Sequence, residues 1–297
     1  MELITLFSEN TSLFLIAVTI LGLLVGSFLN VVIHRLPIVL KKQWRNDCLL
    51  FLAEEDNKSA TPNTNSEDEH FGLITPRSRC PHCGHQITAL ENIPVISYLF
   101  LRGKCSECSS RISIRYPVVE ILSAILAVAV AWKFGFTIQT ALAILMSWAL
   151  ISLSFIDYDH QYLPDNITLP LLWLGLLASL FGLFTDLESA VIGAVAGYLI
   201  LWSVYKLFKA IIGKEGMGYG DFKLLAMFGA WFGWQQLPAI IFLSSIAGAV
   251  IGIMLIILKQ HDRNKPIPFG PYLAIAGWIA MMWGAEINQA YLRWAGL

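Results

Sequence analysis

Apolar residues fall into eight blocks along this chain, roughly 12–34, 116–133, 137–156, 167–185, 187–208, 221–235, 237–258 and 269–287. A run of about 18 or more apolar residues with few charges is long enough to cross a bilayer as a helix. The sixth block is short. Polar segments between blocks are brief, except for one stretch of about 80 residues after the first block. The pattern predicts an all-α polytopic membrane protein of about eight transmembrane helices, with one large non-membrane loop after the first.

Composition agrees. Of 297 residues, 56% are hydrophobic and only 14% charged, and mean hydropathy is +0.64. A soluble domain would be about a quarter charged. A soluble bundle would need far more polar covering to bury eight such segments. The formal net charge of −1 names no partner, and no nucleic-acid partner is expected. Membrane lipid surrounds the spans. The sequence leaves the oligomeric state open.

The basic residues set the orientation. Assigned to loops, 18 of the 20 Lys and Arg fall on one side, and only Lys133 and Arg293 on the other. The positive-inside rule then places both termini outside and the basic loops in the cytoplasm. Residues 1–11 carry no Lys or Arg and no A-x-A site follows the first run, so the first span is read as permanent rather than as a cleaved leader.

Three parts follow: a first transmembrane helix at 1–34, a cytoplasmic loop at 35–115, and a membrane-embedded domain of about seven helices at 116–297. Within the loop, residues 46–70 end in a tract rich in Asn, Ser, Thr and Glu, with little to bury, and read as a flexible insertion. No internal repeat is found.

The loop also holds CPHC (Cys80, Cys83) and CSEC (Cys105, Cys108), two CxxC pairs with 21 residues between them. Such spacing is close to that of structural zinc ribbons. Four thiolates close a tetrahedral shell, which makes the site structural rather than catalytic. A reducing cytoplasm disfavours two disulfides. A redox pair or an iron–sulfur centre are the other readings. His82 and His85 are expected to be solvated neighbours, and Cys48 a free thiol.

Carboxylates at a membrane edge are functional candidates because burying them is costly. Asp157 lies in SFIDYDHQYLPDNITLP, at the end of the third span. Asp221 lies in GMGYGDFKLL, at the start of the sixth. The inferred topology puts both at one membrane face. Two carboxylates brought close share a proton, so one can act as base on a water and the other as acid on a leaving amine. The glycines Gly216, Gly218 and Gly220 permit backbone conformations and close approaches that a Cβ forbids. The blander reading of Asp221 is a helix-start residue favoured by the dipole. Asp159 is expected in an exposed loop and Asp165 at the cap of the fourth span.

Five blocks together resemble the prepilin leader peptidases, also called leader peptidase/N-methyltransferases. They are GSFLNVVIHRLP (Gly26–Pro37), the cysteine pairs with ENIPVISYL (Glu91–Leu99) between them, IDYDHQYLPDNITLPLLW (Ile156–Trp173), GYGD, and PIPFGPYLAIAG (Pro266–Gly277). The resemblance implies an aspartic endopeptidase with Asp157 and Asp221 as its catalytic pair. It implies cleavage of prepilins and pseudopilins after a glycine, at the cytoplasmic face of the inner membrane. It further implies methylation of the new N-terminus by S-adenosylmethionine. No glycine-rich strand–helix turn marks a site for that donor. Glu91 is the first candidate for a contact to it, against a structural loop role. Another GxGD intramembrane protease, an ion-coupled transporter with paired aspartates and an inactive assembly factor are the rivals.

Overall fold

A computed structural model describes residues 2–55, 72–213, 216–258 and 267–295. Among the described residues the chain is helical, with no strand longer than an isolated bridge. Ten α-helices run in order. They are α1 (Glu2–Glu9), α2 (Thr11–Glu55), α3 (Ile96–Phe100), α4 (Arg115–Phe134), α5 (Ile138–His160), α6 (Asp165–Ser179), α7 (Leu187–Ile212), α8 (Tyr219–Phe232), α9 (Leu237–Ile257) and α10 (Gly270–Ala295). Each of the eight apolar blocks coincides with one helix.

Among the described residues five helices, α2, α4, α5, α7 and the segment containing α9, are long and apolar enough to cross a membrane. The count of eight crossings is therefore not reached by length and hydropathy alone. The 14 residues of α8 rise only about 21 Å, less than the ~30 Å of a hydrocarbon core. In α10 the apolar run is broken at Trp283, whose φ of −134° interrupts the helix, and polar residues follow.

The chain divides into two units, residues 1–129 and 130–297. In the first, α2 is longer than its apolar block. It continues through NDCLLFLAEE to Glu55, so residues 46–55 of the predicted flexible insertion are helical. Six of those ten residues are Leu, Ala or Glu, and none is a Gly or Pro that would stop a helix. The rest of the insertion lies outside the described residues. α2 packs on α4 through Gly22 and Gly26. A Cβ at Gly22 would lie 2.7 Å from the Ala124 Cα, and one at Gly26 would lie 2.6 Å from the Glu120 Cα. Small residues four apart let membrane helices touch backbone to backbone. The contact is pinned by polar bonds: Ser123 Oγ donates to the Gly22 carbonyl at 2.7 Å, and Asn30 Nδ2 to that of Tyr116 at 3.1 Å.

The cysteine segment contains a repeat that sequence reading missed. Cys80 N–H donates to His85 O at 2.8 Å and Gly84 N–H to Cys80 O at 3.0 Å. The second pair repeats this, with Cys105 to Ser110 at 2.8 Å and Ser109 to Cys105 at 3.0 Å. Each turn ends in a left-handed residue, Gly84 (φ 74°) and Ser109 (φ 56°). Bridges Arg79↔Gln86 and Lys104↔Arg111 close the two knuckles. Only the cysteines and the closing isoleucines, Ile87 and Ile112, are shared, which is too little for composition to reveal.

In the second unit, α8 is central. Asp221, Phe222 and every residue from Leu224 to Phe232 are buried. Small residues on its neighbours make this possible. Gly193 of α7 and Gly229 of α8 are so close that a Cβ on either would strike the other's backbone. Gly175 of α6 receives the Trp231 ring, whose Nε1 donates to Leu171 O at 2.8 Å. Gly277 of α10 receives Phe228.

Candidate active site

Asp157 sits in the last turn of α5. The helix stops three residues later because Gln161 takes a left-handed conformation (φ 58°), its N–H capping Asp157 O at 2.8 Å. Asp157 is only 5% exposed. Its Oδ2 accepts the backbone N–H of Gly270, the first residue of α10, at 3.0 Å. A carboxylate at a helix C-terminus faces the wrong end of that dipole, and a second helix N-terminus offsets this.

Asp221 is the third residue of α8, after Gly218 at the N-cap, and is 7% exposed. Here the dipole favours the carboxylate. Both aspartates line one cavity of about 200 Å³, together with Tyr162, Gly216, Gly218 and Phe269. The cavity thus gathers one carboxyl group from α5 and one from α8, and the segment leading into α10 lines it as well.

Gly216 and Gly220 of GMGYGD act through close approach. Neither adopts the left-handed conformation. A Cβ at Gly220 would lie 2.9 Å from the Leu163 Cβ, and one at Gly216 would lie 2.8 Å from the Phe208 ring. Asp159 is exposed, but within α5 rather than in a loop. Asp165 opens α6 without capping it. Pro164 holds the N-cap position, and the Asp165 carboxylate pairs with Lys223 at 2.7 Å. In the sequence Gly270 lies inside PIPFGPYLAIAG with no chemistry of its own to mark it. Its place just after a proline-containing segment, at a helix start, was the available hint.

The four knuckle cysteines converge, with all four Sγ atoms within 4.8 Å of one another. Cys80 and Cys108 are 3.8 Å apart, Cys83 and Cys105 4.0 Å. Tetrahedral zinc with Zn–S near 2.3 Å has sulfur edges of about 3.8 Å, so this donor set fits zinc. The Cys83 and His82 backbone N–H groups and the Ser110 hydroxyl hold the Cys80 thiol at about 6, below its ordinary value, which favours the ligating thiolate. None of the described cysteines is disulfide-bonded, and Cys48 is exposed.

His85 is no ligand; it pairs with Glu91 at 3.2 Å. Glu91 also accepts from Thr88 N–H and Oγ1, each at 2.8 Å, and from Ser106 Oγ. These bonds, that of Ser106 first, hold its carboxyl at about 2. Glu91 therefore ties the two knuckles together. It also lines a second cavity, of about 540 Å³, contained within the first unit.

These features define an all-helical membrane protein with two acidic side chains gathered from separate helices and a four-cysteine cluster that could hold a metal ion. Comparison with known proteins gives the family. Residues 20–134 match the bacterial peptidase A24 N-terminal domain, and residues 144–253 match the type IV leader peptidase family. The chain is 54% identical to a prepilin leader peptidase/N-methyltransferase of Stutzerimonas stutzeri, over 98% of both chains. It is 53% identical to one of Pseudomonas aeruginosa, over 100% of this chain and 99% of the other. A Legionella pneumophila relative of the same name is 47% identical over 93% and 94%. No solved structure gives a significant match. The chain belongs to the type IV leader peptidase family.

Proposed function

We propose that this protein cleaves the basic leader from type IV prepilins and type II secretion pseudopilins after a glycine, then methylates the new N-terminus. The reading rests on one observation above all: Asp157 and Asp221, from different helices, line a single cavity in a chain whose relatives carry that double name.

Asp157 and Asp221 are the catalytic pair. One carboxylate takes a proton from a water as its oxygen attacks the scissile carbonyl carbon. The protonated partner gives its proton to the leaving amine as the C–N bond breaks. This is the division of labour of paired aspartates. The Gly270 N–H fixes the Asp157 carboxylate, and Gly216 and Gly220 let the chain around Asp221 pack against Phe208 and Leu163.

Eight crossings of the inner membrane put both termini in the periplasm, and the aspartates and cysteine module at the cytoplasmic face. A prepilin leader waits there, because its basic residues do not cross. Cys80, Cys83, Cys105 and Cys108 hold a structural zinc. S-adenosylmethionine supplies the methyl group. The new amine would have to be neutral to accept that methyl group.

The test is reconstitution of the full chain in detergent or lipid with a prepilin whose basic leader ends in glycine, with and without S-adenosylmethionine. Mass spectrometry should find cleavage after the glycine and a further methyl only with the donor. Cleavage that survives in both Asp157→Asn and Asp221→Asn would remove the aspartates from the chemistry.

A further inference from the structure

We infer that the Gln161 carboxamide donates to the oxygen of the scissile carbonyl and stabilises the charge that develops there during leader cleavage. This deepens the peptidase half of the proposed function and rests on it.

The two aspartates leave one atom of the reaction without a counterpart. One carboxylate serves the attacking water, and the protonated partner serves the leaving amine. As the water oxygen bonds to the carbonyl carbon, an electron pair moves onto the carbonyl oxygen. It returns when the C–N bond breaks. A donor already held at that oxygen lowers the barrier between these events.

The cavity that holds both aspartates narrows the choice of donor. Of its twelve lining residues, two are the aspartates, three are glycines and five have apolar side chains. Tyr162 and Gln161 remain. The Tyr162 hydroxyl oxygen is buried, whereas Gln161 is exposed. Among the described residues that line the cavity, Gln161 is the one whose side chain carries N–H groups. The carboxamide is also neutral, so it serves the oxygen without adding a charge beside the two carboxyl groups.

The backbone supplies the second observation. Gln161 has φ 58° at the C-terminal end of α5. Glycine or asparagine is the ordinary residue in that left-handed position, because a longer side chain is strained there. Strain of this kind persists only where the surroundings fix it, and it clusters at active sites. The surroundings here do fix it. The Gln161 N–H bonds to the carbonyl of Asp157 itself, at 2.8 Å. Leu163, two residues on, abuts the starts of α8 and α10. A Cβ at Gly220 would lie 2.9 Å from the Leu163 Cβ, and one at Gly270 would lie 3.2 Å from the Leu163 Cδ2. The turn that carries Gln161 is thus wedged against the helix that bears Asp221 and the helix that fixes Asp157. An oxyanion donor acts through such rigid placement.

The experiment follows cleavage by the full chain in detergent, on a synthetic prepilin peptide whose basic leader ends in glycine. Steady-state kinetics compare the wild type, Gln161→Gly, Gln161→Met and Asp157→Asn. Glycine suits the left-handed cap and removes the carboxamide. Methionine keeps the length and removes the N–H. Thermal melting checks both folds, and the methionine variant decides if the glycine variant melts early. The expected result is a fall of about 100-fold in kcat, the usual loss for one such donor, with KM little changed and melting close to wild type. A second peptide carries sulfur in place of the scissile carbonyl oxygen, and sulfur accepts hydrogen bonds poorly. It should slow the wild type more than it slows Gln161→Gly. Wild-type kcat in both variants, a loss confined to KM, or an equal effect of sulfur overturns the role of Gln161 while the aspartates stand. A wild type that cuts no prepilin, or cuts no faster than Asp157→Asn, overturns the peptidase reading, and this role with it.

Discussion

The backbone N–H of Gly270 reaches the carboxylate of Asp157 at 3.0 Å, across 113 residues of sequence. The first residue of α10 thereby fixes a side chain at the end of α5. A Cβ at position 270 would lie 2.6 Å from Asp157 Oδ2, so the carboxylate would have to move. Misplacement by about 1 Å costs on the order of 100-fold in rate. Gly270→Ala should therefore lower kcat for leader cleavage by about 10- to 100-fold, with KM little changed. Steady-state kinetics on a reconstituted prepilin decide this. A loss confined to KM would mean that Gly270 touches substrate rather than the aspartate.

The packing of α8 makes a second prediction. Gly229 meets Gly193 with no room for a methyl group. Overpacking a tight contact costs about 1–3 kcal/mol. Gly229→Ala should lower the thermal midpoint and the cleavage rate together, since Asp221 rides on the same helix. Melting in detergent, read by intrinsic fluorescence, would expose an error if the variant were as stable as wild type.

The Asp165–Lys223 pair should matter little to stability. Both side chains are partly exposed, at 48% and 30%. Pairs of that kind contribute about 0–1 kcal/mol. A double-mutant cycle with Asp165→Asn and Lys223→Gln should return a coupling in that range, and one well above it would place the pair in a drier setting.

Metal content tests the cysteine module. One zinc per chain is expected by elemental analysis. Cys80→Ser should lose it and open the segment around residues 76–113 to protease, because a small metal-closed module takes most of its folding energy from the ion. Cys48→Ser should keep the full metal content.

Glu91 gives the module a pH signature. Its folded value of about 2 lies below the ordinary 4.5, chiefly through the Ser106 hydroxyl and the Thr88 N–H. A lowered carboxyl stabilises the fold above the unfolded value, and that stability is lost as pH falls through the folded one. The midpoint gap between wild type and Glu91→Gln should be widest above pH 4.5 and should close as pH approaches 2. A gap that does not vary with pH would leave Glu91 with shape alone.

The sequence by itself determined the helical membrane class, the places where helices form, the four cysteines that cluster and the two aspartates that line one cavity. Each is local: a run of apolar residues, a CxxC spacing, or a carboxylate beside such a run. It placed Asp165 at a cap, where the fold pairs it with Lys223. It left residues 46–55 outside the helix that contains them, because an apolar block marks where lipid can lie and not where hydrogen bonding stops. Tertiary structure alone decided the rest. The Gly270–Asp157 bond, the Glu120–Val95 bond and the α2–α4 contact through Gly22 and Gly26 join residues far apart along the chain. Such pairings arise when helices pack, and neither residue of a pair carries a mark of the other.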